Sequence, residues 1–169
     1  MINIPGYKLY RNDRQLRKGG GVALYIKESL KALHHNDIDT MTDIESCWIE
    51  IMGKEHIIIG TIYRAPSENA EYYNKILDLL EVIQSEGKEM IVLGDLNFNC
   101  IPKTNNQIEG IESLFGMTQT INNVTREALI MDQETKKLKM FTHGSNTSIL
   151  AIDAPACLSF MPGSFQILF

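Results

Sequence analysis

The sequence predicts a domain of the α/β class. His56 to Tyr63 reads His-Ile-Ile-Ile-Gly-Thr-Ile-Tyr, apolar in its first half as a strand covered on both faces is. Glu71 to Glu86 carries Tyr73, Ile76, Leu77, Leu80 and Ile83 at spacings of three and four, the single apolar stripe of a packed helix. Met90 to Leu93 is a second short apolar run. Strand, helix and strand with tight connections make a crossover unit, so part of the sheet is predicted to be parallel.

A chain of 169 residues is long enough for one full-sized core. Its 44% hydrophobic and 22% charged residues are those of an ordinary globular protein. A net charge of −5 and a pI near 5.4 exclude a global field that favours nucleic acid, although a local basic rim can serve a DNA-binding enzyme. Cys47, Cys100 and Cys157 form no CxxC pair, and an odd, scattered set of cysteines predicts free thiols in a reducing compartment. Met1 to Gly6 has neither the charged start nor the apolar core of a signal peptide, and no apolar run approaches the length of a membrane helix. The expectation is an intracellular chain with no membrane partner, nuclear or cytoplasmic.

From the N-terminus, Tyr7 to Tyr10 alternates as a short strand does, and Val22 to Ile26 reads as a second strand. Between them, five of the eleven residues from Lys8 to Lys18 are basic, and Gly19-Gly20-Gly21 follows. By itself such a run is a solvated hairpin loop. The functional alternative is a basic loop that touches a phosphate backbone, its glycines allowing close approach. Lys27 to Asp43 reads as polar and irregular, with at most a helical turn at Glu28 to Leu33. His34 and His35 are adjacent and do not share the i, i+4 face of a helix, so no metal site is predicted there.

Ile44 to Met52 reads as a half-buried strand, with Ile44, Ser46, Trp48 and Glu50 on one parity and Cys47, Ile49 and Ile51 on the other. Glu45 and Glu50 both read as surface residues. The Gly53-Lys54 turn joins this strand to His56–Tyr63 as a hairpin. Arg64-Ala65-Pro66 ends the second strand, because Pro66 has no N–H for a ladder. Ser67 or Asn69 can cap the helix that follows, and Gly87 stops it. After a loop from Phe98 to Gln107, Ile108, Ile111, Glu112 and Phe115 predict a short helix. Thr120 to Arg126 is a brief extended piece and loop. Glu127 to Phe169 has few clear periods and an apolar end without framing elements, and there is no internal repeat.

The strand from Met90 ends in Gly94-Asp95-Leu96-Asn97. Residues two apart in an extended segment point to one side, so Asp95 and Asn97 are predicted to face a common ligand. A carboxylate can orient a water or hold a cation, and an amide can donate to a phosphate oxygen. Taken alone, Gly-Asp and Asn after a strand are equally turn chemistry.

The order of the pieces is more specific than any one of them. Arg11-x-x-Arg14 followed by Gly19-Gly20-Gly21-Val22-Ala23-Leu24-Tyr25-Ile26, then Trp48-Ile49-Glu50-Ile51, then Gly60-Thr61-Ile62-Tyr63-Arg64-Ala65-Pro66, leads to Gly94-Asp95-Leu96-Asn97. Gly116-Met117-Thr118-Gln119 and Val124-Thr125-Arg126 continue the series. This succession resembles the endonuclease/exonuclease/phosphatase superfamily, and within it is most similar to the endonuclease domain of LINE-type (non-LTR) retrotransposons. Sugar-phosphate, lipid-phosphate and abasic-site substrates also occur in the superfamily. The Arg…Gly-Gly-Gly loop and Tyr-Arg-Ala-Pro favour the retroelement branch. The resemblance covers residues 5 to 126.

It implies a four-layered α/β sandwich, two face-to-face sheets flanked by helices, and magnesium-dependent hydrolysis of a DNA phosphodiester to prime reverse transcription. By motif, Asp95 would orient or activate the attacking water and contact the metal. Asn97 would hold Asp95 and the phosphate, and Tyr63 would hydrogen-bond the scissile phosphate. Arg14, Arg17, Arg64, Thr125 and Arg126 would lie near the DNA backbone. Such displacements need in-line positioning and neutralised charge.

The resemblance also implies an earlier Asn and metal-binding Glu, which this chain does not reach, and a Ser-Asp-His that occurs nowhere in it. His143 sits in Phe141-Thr142-His143-Gly144, and Asp132 and Asp153 are poor stand-ins for a further Asp. The expectation is a partial domain over 1–126 with an unassigned divergent tail over 127–169, with uncovered sheet edges, and catalytically dead or nearly so. The competing expectation is a nucleic-acid-binding or interaction fragment without catalysis.

Overall fold

The computed structural model describes residues 3–14, 21–97, 106–119, 139–142, 148–152 and 165–168. They form a mixed α/β structure with two sheets. The smaller sheet has four strands in the order β1-β2-β9-β8, and the larger has six in the order β3-β4-β5-β6-β10-β7.

β1 (Tyr7–Asn12) and β2 (Val22–Lys27) are the antiparallel pair expected around the basic loop. β4 (Glu45–Met52) and β5 (His56–Tyr63) are the expected hairpin. α2 (Glu71–Gln84) crosses over to β6 (Glu89–Asp95), which runs parallel to β5. The strand–helix–strand reading therefore holds. The helix stripe lies slightly off the expected line: Tyr72, Ile76, Leu79, Leu80 and Ile83 are buried, and Tyr73 and Leu77 flank them partly covered. Asn69 accepts the Tyr72 N–H at 3.3 Å, one of the helix's orphan donors. α3 (Asn106–Phe115) buries Ile108, Ile111 and Phe115 against α2 and the large sheet.

Strand parity builds two cores on the two faces of the large sheet. Trp48, Ile58, Ile62, Met90 and Val92 pack against α2 and α3. Cys47, Ile49, Ile51, Ile57, Ile59, Ile91 and Leu93 face Tyr10, Val22, Leu24 and Ile26 of the small sheet. Gly60 is fixed by this packing. It is the cross-strand partner of Trp48, and a Cβ on it would lie 2.0 Å from the indole ring.

One expectation is corrected, and the unassigned region gains a place. Lys27 to Asp43 is not irregular: it holds β3 (Ala32–His34), paired with β4, and α1 (Asn36–Met41), whose Ile38 enters the helix-side core. The region after Glu127 supplies strands to both sheets. β8 (Lys139–Thr142) and β9 (Ser148–Ile152) join the small sheet, β9 running parallel to β2. β10 (Phe165–Leu168) lies between β6 and β7 (Met117–Gln119), parallel to both. Uncovered sheet edges were expected, and β2 and β6 each have a strand partner from this region. These strands are four or five residues long, too short for a period to identify them in the sequence. Among the described residues, no helix is long and apolar enough to cross a membrane.

Candidate phosphate-binding site

β4, β5 and β6 end together at one side of the large sheet. Glu45 is the register partner of Tyr63, and Tyr63 of Asp95. Directly paired residues project from the same face, so three side chains stand in a row toward the small sheet. The C-terminal mouth of parallel strands is where open α/β sheets place ligands.

Asp95 and Asn97 are brought together, though not by the expected strand parity. β6 stops at Asp95, and Asn97 has a left-handed backbone with φ of +49°. Asp95 Oδ1 accepts the Asn97 N–H at 2.9 Å, an Asx-type turn. The Asn97 side-chain amide donates to the Arg64 carbonyl at 2.6 Å, and the Arg64 N–H donates to the Asp95 carbonyl at 2.9 Å. Arg64 also donates through Nη1 to the Leu96 carbonyl and through Nη2 to the Glu68 carbonyl, which makes its guanidinium a brace between the two strand ends. Gly94 lets β6 pass close to β5: its φ is +133°, and a Cβ there would lie 1.9 Å from the Ile62 carbonyl oxygen.

Tyr63 is buried, and its carbonyl accepts the Tyr72 hydroxyl at 3.0 Å. Burial, and then the Asp95 charge, push its phenol above the ordinary value, so the hydroxyl keeps its proton as a donor. Arg14 reaches the mouth from the end of β1, with its Cζ 6.0 Å from the Tyr63 ring centroid. Arg17, Thr125 and Arg126 lie outside the described residues.

Glu45 and Glu50 are not simple surface residues. Glu45 accepts from Arg14 and from the Gly21 backbone N–H. Glu50 is buried at the far end of β4, where it is held by His35 at 3.1 Å, Lys88 at 3.0 Å and His56 in a short contact. Burial opposes the Glu50 charge, yet these three partners outweigh it and hold the carboxyl down at about 2. Its partners come from positions 35, 56 and 88, so nothing near Glu50 in the sequence announces them.

His34 and His35 are fixed by β3 and α1, but they point to different partners. His34 meets Asp39 Oδ2 at 2.6 Å and Cys47 Sγ at 3.5 Å, while Asp39 Oδ1 accepts the Trp48 N–H at 2.9 Å. Burial, and then the Asp39 charge, push the Cys47 thiol up. These groups satisfy one another and pin α1 to β4.

Magnesium takes near-octahedral oxygen coordination from one or two carboxylates together with substrate phosphate and water. Asp95 offers one carboxylate, already accepting the Asn97 N–H. Among the described residues, the groups of three or more His, Cys, Asp or Glu donors close enough to share an ion are His34, Asp39 and Cys47 in one set and His35, Glu50 and Glu86 in another, and Asp95 belongs to neither. No group of three such donors therefore forms around Asp95 among the described residues, and an ion there would draw on that carboxylate together with substrate phosphate and water. No protein-family model, curated protein or solved structure matches the chain.

Proposed function

We propose that the chain is a DNA-backbone-binding domain of the endonuclease/exonuclease/phosphatase type, allied to the LINE retrotransposon endonucleases, with little or no hydrolytic activity. One observation carries this reading. Tyr63 from one sequence motif and Asp95 and Asn97 from another share one strand mouth, with Arg14 and Arg64 beside them. Hydroxyl, amide and guanidinium donors at the end of parallel strands suit a phosphate oxygen. The helix–sheet–sheet stacking supports a four-layered sandwich as the finer form of the fold.

Hydrolysis needs more than this cradle. Asp95 joins no group of three side-chain metal donors among the described residues, and the sequence holds no Ser-Asp-His to supply the acid/base histidine; general acid–base help alone is worth about 10² to 10⁴ in rate. The test is nicking of supercoiled plasmid with magnesium, with Asp95→Ala as control, run beside a salt series of duplex binding. Salt-dependent binding without nicking is the expected result. Nicking that Asp95→Ala abolishes would instead establish the metal-dependent endonuclease. A folded chain with neither property overturns the nucleic-acid reading altogether.

A further inference from the structure

Both ends of the β1–β2 connection meet at one carboxylate. Glu45 Oε1 accepts from Arg14 Nε at 2.7 Å and from Arg14 Nη2, and Oε2 accepts the Gly21 N–H at 2.7 Å. Arg14 and Gly21 flank the basic Gln15-to-Gly20 stretch on its two sides. The Glu45 side chain is only 17% exposed and that of Arg14 20%, so water competes weakly for the pair. Glu45 is also locked from behind: its N–H donates to the Tyr72 hydroxyl at 3.3 Å, and that hydroxyl donates to the Tyr63 carbonyl. The result is a continuous path from the basic connection, through Arg14 and Glu45, to Tyr63.

A carboxylate at a mouth built for a polyanion is electrostatically adverse. We propose that Glu45 is a positioning residue, which clamps the two ends of the β1–β2 connection and holds Arg14 beside Tyr63 to meet a phosphate oxygen. Two guanidinium nitrogens engage Glu45, and Nη1 is the one it leaves for the phosphate. The inference rests on the DNA-backbone reading for its ligand, whereas the clamp itself rests on the contacts.

The sign of a substitution separates positioning from plain charge. Glu45→Gln removes a negative charge, so a bystander carboxylate would give duplex binding about 2-fold tighter or more. A clamp gives the opposite. The new amide nitrogen faces N–H donors in place of an acceptor, and binding of a fluorescein-labelled duplex is expected to weaken about 5-fold. In an Arg14→Ala background, Glu45→Gln should weaken binding no further, because Glu45 acts through Arg14. A second readout needs no DNA. Glu45→Ala should speed amide exchange at Gly21 by at least ~10-fold while core amides keep their protection.

Tighter duplex binding by Glu45→Gln, or unchanged Gly21 exchange in Glu45→Ala, overturns the clamp. Wild-type chain that binds no duplex, with Gly21 exchange still responding to Glu45→Ala, supports the clamp and sinks the DNA reading instead. Should Glu45→Ala fail to fold, Gly21 exchange is measured in Glu45→Gln, where faster exchange supports the clamp and unchanged exchange overturns it.

Discussion

Tyr63 and Asp95 are direct cross-strand partners at the ends of β5 and β6, and the Asp95 charge helps to keep the Tyr63 phenol protonated. This places a donor and an anion side by side at one mouth. If the mouth takes phosphate without a metal, the Asp95 charge opposes the ligand. Asp95→Asn retains an Oδ1 acceptor for the Asn97 N–H, so the turn survives and DNA binding should tighten about 2- to 5-fold. Tyr63→Phe keeps the packed ring and loses the donor, and binding should weaken about 5-fold. Fluorescence anisotropy at fixed salt reads both. Weaker binding by Asp95→Asn would point to a cation bridging Asp95 and the phosphate.

Gly94 carries the close approach of β6 to β5. Gly94→Ala must relieve a 1.9 Å contact with backbone rather than with a yielding side chain, at a φ of +133° that other residues rarely adopt. The expected loss is about 3 kcal/mol or more, a fall in Tm of roughly 6–12 °C for a chain of this size. Thermal unfolding followed by circular dichroism measures it. A shift under 2 °C, roughly the effect of half a kcal/mol, would mean that the strand end relaxes without cost.

These two sites mark what a sequence can and cannot disclose. The β5–α2–β6 unit was legible because the Ile57–Ile59 run, the helical period and the Pro66 and Gly87 punctuation agree over nearly forty residues, roughly the size of one such unit. Tyr63, Asp95 and Asn97 were legible as a group through the motif order. Their geometry was not, since Asn97 meets Asp95 through a left-handed turn rather than through strand alternation. The roles of Glu45 and Glu50 were hidden because a carboxylate's burial is decided by its partners, and theirs come from elsewhere in the chain. β9 and β10 were hidden for a similar reason: each is a short apolar piece whose identity as a strand comes from a distant neighbour.

Glu50 gives the domain an acid-sensitive joint. Its carboxyl is held at about 2, below the ordinary value of 4.5. A group depressed in the folded state adds stability that is complete above the unfolded value and lost as pH falls through the folded one, here between pH 4.5 and about 2. The share at stake is on the order of 3 kcal/mol. Urea unfolding of wild type and Glu50→Gln at neutral pH should show the wild type well ahead, and the gap should shrink steadily once the pH falls below 4.5. A gap that stays constant down to pH about 2.5 would show that Glu50 does not titrate differently on folding.

Cys47 should be chemically silent in the folded chain. It is completely buried beside His34, and both burial and the Asp39 charge disfavour the thiolate that reacts with disulfides. In a Cys100→Ser/Cys157→Ser background it is the sole thiol of the chain. Reaction with an aromatic disulfide reagent should then be no faster than the opening of the fold, and immediate once urea is added. The rate should also be insensitive to reagent concentration at the high end, because opening rather than attack limits it. Prompt, stoichiometric labelling in native buffer would mean that β4 parts readily from the small sheet, and would undo the assignment of Cys47 to the core between them.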